Sequence, residues 1–186
     1  MAHPARQRNY SDVHMTDPRV AKLVVDHFPI QLPALDPARG RGAFHDAMPA
    51  GTAWCEISDG VDFFAWRDPV LWIATNPPFG PLTRWMTHAF ALADNGVFLI
   101  PLSKLFNSPP RMRLLRAYGG IREILYLGSG RDVGFHMGFA FGALWFQRGY
   151  RGDTRWTWAD AKKLPQGAQT LLFPSSEQGI CADYLA

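Results

Sequence analysis

Four consecutive residues, Asn76-Pro77-Pro78-Phe79, combine groups that can do chemistry together. Proline fixes φ near about −65° and carries no N–H. A residue before proline is pushed toward extended backbone. Asn76 and Pro77 are therefore held stiffly, with the Asn76 side-chain oxygen and the Pro77 main-chain oxygen as two acceptors. Phe79 adds a flat apolar face beside them. Two acceptors next to a stacking plane suit a planar substrate that carries an NH2 group. The same tetrapeptide is also an ordinary way to stop a strand, so the surrounding chain has to decide between the two readings.

Val70 to Thr75, just upstream, is a continuous apolar run of strand length, the pattern of a central parallel strand. Downstream, Leu82, Trp85, Met86, Ala89 and Phe90 recur at helical spacing. Asp94-Asn95-Gly96 should stop that helix, and Val97 to Leu102 reads as another buried strand. Earlier in the chain a short strand ends at Asp36, shortened by Pro33. The turn Asp36-Pro37-Ala38-Arg39-Gly40-Arg41-Gly42-Ala43-Phe44 follows, then a helix through His45 to Met48. Glycines here permit positive φ and a close approach of ligand to backbone, and the helix start offers unpaired N–H groups.

Ala53 to Ile57 reads as a second strand carrying an acid, Glu56, at its end. In nucleotide-binding α/β folds an acid in that place accepts hydrogen bonds from ribose hydroxyls; elsewhere it is a solvated loop acid. Asp62-Phe63 offers a carboxylate and a ring to an adenine, or else a turn acid ahead of core aromatics. Thr16-Asp17-Pro18 is a helix start, with a capping side chain and proline at the first helical position. Val20, Leu23, Val24, His27 and Phe28 then face inward, and Pro29 closes the helix. Ser103 to Gly120 carries Lys104, Arg111, Arg113 and Arg116 among Phe106, Met112 and Tyr118. That pattern fits a segment tracking phosphates and equally the solvated face of a short helix. Ile121 to Leu127 and Gly138 to Gln147 read as two more strands, joined through Gly128-Ser129-Gly130. Gly149 ends the compact pattern, and Trp156 and Trp158 in the tail are expected to pack back on the core.

The chain of 186 residues suits a single domain, with a core at about residues 16–150 and a tail at 151–186 too short to fold alone. At 47% hydrophobic and 19% charged residues it should fold rather than stay disordered. Seven Trp and thirteen Phe can fill a core or stack on bases. A net charge of +3 is compatible with a nucleic-acid partner without requiring one. Cys55 and Cys181 form neither a metal pair nor a disulfide framework, so a reducing cytoplasm is expected. The polar, basic start predicts no signal peptide, and no apolar run reaches the ~18 residues of a membrane span. The six His are scattered and predict no zinc site.

Taken in order, Asp36-Pro37-x-x-Gly40-x-Gly42-Ala43-Phe44, Glu56, Asp62-Phe63 and Asn76-Pro77-Pro78-Phe79 resemble the class I S-adenosylmethionine-dependent methyltransferases. Within them the pattern is similar to the N6-adenine DNA methyltransferases, over residues 16–150. The resemblance implies a Rossmann-like α/β fold, a seven-stranded, mostly parallel sheet with helices on both faces and one antiparallel strand. It implies S-adenosylmethionine as cofactor. Asp36, Pro37, Gly40, Gly42 and Phe44 would surround its methionine moiety, Glu56 and Ile57 its ribose, and Asp62 and Phe63 its adenine. Thr16 and Pro18 match a family element N-terminal to that turn, and Thr16 would be among the residues that bind the cofactor. Asn76 and Pro77 would hold the target amine, with Pro78 stiffening the motif and Phe79 stacking on the base. The partner implied is nucleic acid, DNA ahead of RNA. The chain has no room for a separate target-recognition domain, so sequence specificity is low, lies in Ser103–Gly120, or comes from a partner protein. Asn-Pro-Pro-aromatic also occurs in RNA methyltransferases acting on adenine N6 or guanine N2 and in protein glutamine methyltransferases. A degenerate fold kept as a nucleic-acid-binding subunit is the non-enzyme alternative.

Overall fold

The computed structural model describes residues 14–159. Helix α1 (Pro18–His27) begins as its sequence predicts: Asp17 caps it by accepting from the Arg19 N–H, and Pro18 opens the first turn. Val20, Ala21, Val24 and Val25 form its buried face. Strand β1 (Ala34–Asp36) follows, then α2 (Ala43–Ala47) and a two-residue β2 (Ala53–Trp54). This second strand is shorter than its sequence suggests, because Glu56 leaves the ladder to bridge Val61 across a tight turn. β3 (Val70–Thr75), α3 (Leu82–Leu92) and β4 (Ala93–Pro101) come next.

The Asp94-Asn95-Gly96 tripeptide lies inside β4 and does not act as a turn. Tertiary partners override its turn preference. The Trp145 indole N–H donates to the buried Asn95 side-chain oxygen at 3.0 Å, and the Tyr118 hydroxyl donates to the Ala93 and Asp94 carbonyls. The basic segment after β4 forms two short helices, α4 (Leu102–Phe106) and α5 (Pro109–Tyr118). β5 (Gly119–Ser129), a 3₁₀ turn, β6 (Ala140–Arg148) and β7 (Arg155–Trp158) complete the described residues.

The seven strands form one sheet in the order β2-β1-β3-β4-β6-β5-β7. Only β6 runs antiparallel to its neighbours. Its core is dense in aromatic and branched side chains, with Phe98, Leu99, Ile100, Phe141 and Phe146 fully enclosed. β7 extends the sheet past residue 150, where the compact pattern of the sequence stops. Its polar residues are the ones that hold it. Arg155 and the Thr157 hydroxyl both donate to Glu123, which is 1% exposed, and His27 Nε2 lies 2.6 Å from the same carboxylate. Burial works to raise the pKa of Glu123, and the donors Thr157, Arg155 and His27 outweigh it and hold the carboxyl below its ordinary value. Trp156 and Trp158 point the other way, at 50% and 69% exposed, so they do not pack back on the core.

The topology places the site. The chain runs from β1 outward to β2, then returns to the other side of β1 to make β3. The connections leaving β1 and β3 therefore diverge, and the crevice outside their carboxyl ends is where open α/β sheets take ligands.

Candidate active site

A cavity of about 630 Å³ opens at that crevice, within the range of small-molecule sites. Its walls come from six stretches distant in sequence. Pro37, Ala38, Arg39, Gly40, Arg41, Ala43 and Phe44 follow β1; Glu56, Ile57 and Ser58 follow β2. Asp62, Phe63 and Phe64 lie on the next turn, and Asn76, Pro77 and Pro78 end β3. His14, Met15 and Thr16 close one side, and Arg84 and Trp85 of α3 another.

Two predicted residues stand behind the wall. Asp36 is fully buried beneath the glycine turn, where it accepts from the Ala38 and His45 N–H groups at 3.2 and 3.1 Å. Burial pushes its carboxyl up to about 6, against the opposing pull of the Thr75 hydroxyl and those two N–H groups. Asp36 therefore shapes the turn from below. Gly42 is also buried and caps α2 at φ +91°; a Cβ there would come within 2.9 Å of Asp46 Oδ2. Its left-handed backbone, not contact with the cavity, is what demands glycine. Gly40, at φ +52°, does reach the wall.

Glu56 receives the Gly40 N–H at 2.7 Å on Oε2 and the Ser58 N–H and hydroxyl on Oε1. Burial favours its neutral form, but the Ser58 and Gly40 donors prevail and keep the carboxyl below its usual value. It is thus a charged acceptor on the wall at neutral pH. Asp62 is exposed and caps the following turn through the Phe64 N–H at 2.9 Å. Phe63 is 3% exposed and packs against Trp85 and His88 with ring centroids 4.8 and 4.7 Å away. Asp62 is thus a capping acid and Phe63 a core ring, and both line the cavity. Ile57 projects into solvent at its rim, 72% exposed.

The Asn76 amide is held by the N-terminal strap. Its Nδ2 donates to the His14 carbonyl at 2.8 Å and to the Thr16 hydroxyl at 3.1 Å. Its Oδ1 is buried and has no hydrogen-bond partner among the described residues. An unpaired buried acceptor costs about 1–3 kcal/mol, so its retention calls for a reason. Pro77 is buried beside it and Pro78 half-buried, both on the cavity wall.

Phe79 is placed differently from expectation. Its ring is 2% exposed, with the His14 imidazole stacked on it at 5.4 Å and 20°. Phe135 and Phe141 meet it edge-on at 6.5 and 5.8 Å. The face expected for a base is thus covered by His14. The sequence offered no signal for this, because His14 is 65 positions away and becomes a neighbour only when the strap crosses β3.

The basic segment lies off the cavity. Arg111 donates to the Thr83 hydroxyl at 3.0 Å and to the Lys104 carbonyl, so it ties α5 to α3 and α4. Arg113 and Arg116 are exposed on α5, and Lys104 is half-buried on α4. The cations at the cavity are others. Arg39 stacks over Trp54 at 4.8 Å and Arg84 over Phe64 at 3.7 Å, with Arg41 exposed between the glycines. Helical spacing marked Trp85 as inward-facing, whereas nothing in the pattern singled out Arg84. Cys55 is enclosed and burial pushes its thiol up to about 11, so it offers no thiolate nucleophile. Among the described residues no group of three His, Cys, Asp or Glu stands close enough to hold a metal, and no helix is long and apolar enough to cross a membrane.

No protein-family model matches the sequence, and none of the curated proteins matches it. Solved structures do. A chain of a type I restriction-modification system superposes with a TM-score of 0.59 at 15% identity, over 77% of this chain and 44% of its own. The modification subunit of a provisionally assigned type I restriction enzyme from Vibrio vulnificus YJ016 gives 0.57 at 17% identity, over 79% and 46%. A Listeria monocytogenes protein provisionally classed as a class I S-adenosylmethionine-dependent methyltransferase gives 0.59 at 13% identity, over 84% and 69%. The chain spans less than half the length of these restriction-modification structures. At such identities the likeness is one of fold, and the chain has the class I methyltransferase fold that its motifs imply.

Proposed function

We propose that this chain transfers a methyl group from S-adenosylmethionine to the exocyclic N6 amine of adenine in nucleic acid, DNA ahead of RNA. The observation that carries the reading is the unpaired Asn76 Oδ1, buried at the cavity wall next to Pro77. It is an acceptor kept in waiting for a donor.

The residues present fit the cofactor. A charged acceptor, a cluster of aromatic side chains and a glycine turn line one cavity. Glu56 would take the ribose hydroxyls, Asp62 and Phe63 the adenine, and the Pro37–Gly40 backbone with Phe44 the methionine end. Asp36 and Gly42 would act on that end indirectly, by setting the shape of the turn. Bound there, S-adenosylmethionine would supply a methyl group on a positively charged sulfur.

Asn76 Oδ1 and the Pro77 carbonyl would accept from the two hydrogens of the target amine. An adenine amine is a poor nucleophile because its lone pair is delocalised into the ring. Acceptors on both hydrogens favour a pyramidal nitrogen and stabilise the positive charge that grows on it. They also orient the lone pair. The methylated nitrogen is acidic and releases its proton to water, so no strong base is required. A base within a duplex has to be flipped out to reach this pocket, and stacking on Phe79 requires the His14 ring to move aside.

The likeness in fold to chains of type I restriction-modification systems supports a DNA substrate ahead of RNA. The test is transfer of tritiated methyl groups to DNA, RNA and protein extract, followed by analysis of the labelled nucleosides and amino acids. N6-methyladenine from DNA is the expected product. Label in guanine or in glutamine, or none in any substrate, refutes the reading.

A further inference from the structure

We infer that the main-chain carbonyl of His14 fixes which end of the Asn76 amide faces the target, and that Thr16 is a positioning residue that holds the amide in that orientation. The inference rests on the proposed amine chemistry for its purpose, but its geometry stands by itself. A carbonyl oxygen cannot donate, so His14 O accepts Nδ2 and excludes Oδ1 from the same place, 2.8 Å away. The Thr16 hydroxyl provides a second acceptor at 3.1 Å, on the other amide hydrogen or bifurcated with the first. With Nδ2 engaged on the strap, Oδ1 is left on the opposite side, buried and unpaired.

The consequence is chemical. A rotated amide would offer NH2 to a target NH2, two donors in opposition, and the site would lose both recognition and charge stabilisation. An asparagine alone does not specify its own rotation, since the two orientations have nearly the same shape. The strap removes that ambiguity. The resemblance gives Thr16 to the cofactor; the structure gives its hydroxyl to Asn76. The residue therefore acts through Asn76, and its effect belongs in turnover more than in cofactor affinity.

The experiment reads the amide directly and does not depend on knowing the substrate. In ¹⁵N-labelled protein the Asn76 NH2 pair is identified by its disappearance in Asn76→Asp. In Thr16→Val the pair should shift and exchange its hydrogens with water about tenfold faster, while Thr16→Ser should keep the wild-type values. In methyl transfer at saturating substrate, Thr16→Val should lose about tenfold in kcat with little change in KM for the donor, and Thr16→Ser should restore it. An unmoved Asn76 pair in Thr16→Val overturns the inference. So does weakened S-adenosylhomocysteine binding with kcat retained, which would return Thr16 to the cofactor. If the amide responds as stated but the wild-type protein methylates nothing, the positioning stands and the proposed function falls.

Discussion

Replacing Asn76 by alanine should separate activity from stability, and the structure says by how much. The change removes two hydrogen bonds, to the His14 carbonyl and the Thr16 hydroxyl. At about 0.5–1.5 kcal/mol net each, that loss is roughly 1–3 kcal/mol. The same change deletes a buried oxygen that has no partner, which relieves about 1–3 kcal/mol of desolvation. The two nearly cancel, because His14 and Thr16 are only half-buried and water can reach the groups left behind. The melting temperature should move by no more than about 4 °C. Turnover should behave otherwise. In the proposed reaction the acceptor acts where positive charge grows on the amine, so its loss should lower single-turnover methyl transfer by ~100-fold, about 3 kcal/mol. Calorimetry with S-adenosylhomocysteine should show nearly unchanged binding. The assay pairs an adenine-containing oligonucleotide with the same strand lacking adenine. A wild-type rate in Asn76→Ala refutes the mechanism, as does equal methylation of the adenine-free strand. A fall of more than ~10 °C accompanied by loss of cofactor binding would make Asn76 a structural residue instead.

Three further outcomes follow from neighbouring features. His14→Ala removes the ring stacked on Phe79 but keeps the His14 carbonyl on Asn76. A base would no longer have to displace a stack worth about 1 kcal/mol, so oligonucleotide affinity by fluorescence anisotropy should rise roughly fivefold; weaker binding would make His14 a substrate contact. The buried carboxyl of Asp36 holds its proton up to about pH 6, above the ordinary carboxylate value of 3.8. A proton bound more tightly in the folded state means that stability falls as pH rises through that window, by up to ~3 kcal/mol. The difference between wild-type and Asp36→Asn denaturation curves should isolate that slope, and a flat difference from pH 4 to 6 would contradict the burial argument. Among the basic residues, Arg111→Ala should cost stability, because its guanidinium holds Thr83 and Lys104. Arg113→Ala and Arg116→Ala should leave stability alone. Each should shrink the slope of log affinity against log salt by ~1 where it meets a phosphate; unchanged slopes make both solvated surface.

The sequence by itself determined the strand–turn–helix frame and the residues that end its strands. The apolar run Val70–Thr75, the Gly40-x-Gly42 turn and the capped start at Asp17-Pro18 each rest on local preferences that tertiary contacts reinforce. Local rules failed where a distant partner outbids them. Asn95 favours a turn but serves as acceptor for Trp145 in a strand. β7 is tied to the sheet by its polar residues, through Arg155 and Thr157 to Glu123, and leaves its tryptophans exposed, the reverse of the pattern that marks a half-buried strand. The site divides in the same way. The identities of Asn76, Glu56 and Phe63 were legible because their chemistry travels with their type and order. Whether each one faces the cavity was not, because facing is set by packing across the sheet. Only the tertiary structure put Asp36 and Gly42 behind the wall and laid His14 on Phe79. Only it brought Thr16 to Asn76 across 60 residues, where the hydroxyl and the His14 carbonyl both accept from the amide nitrogen.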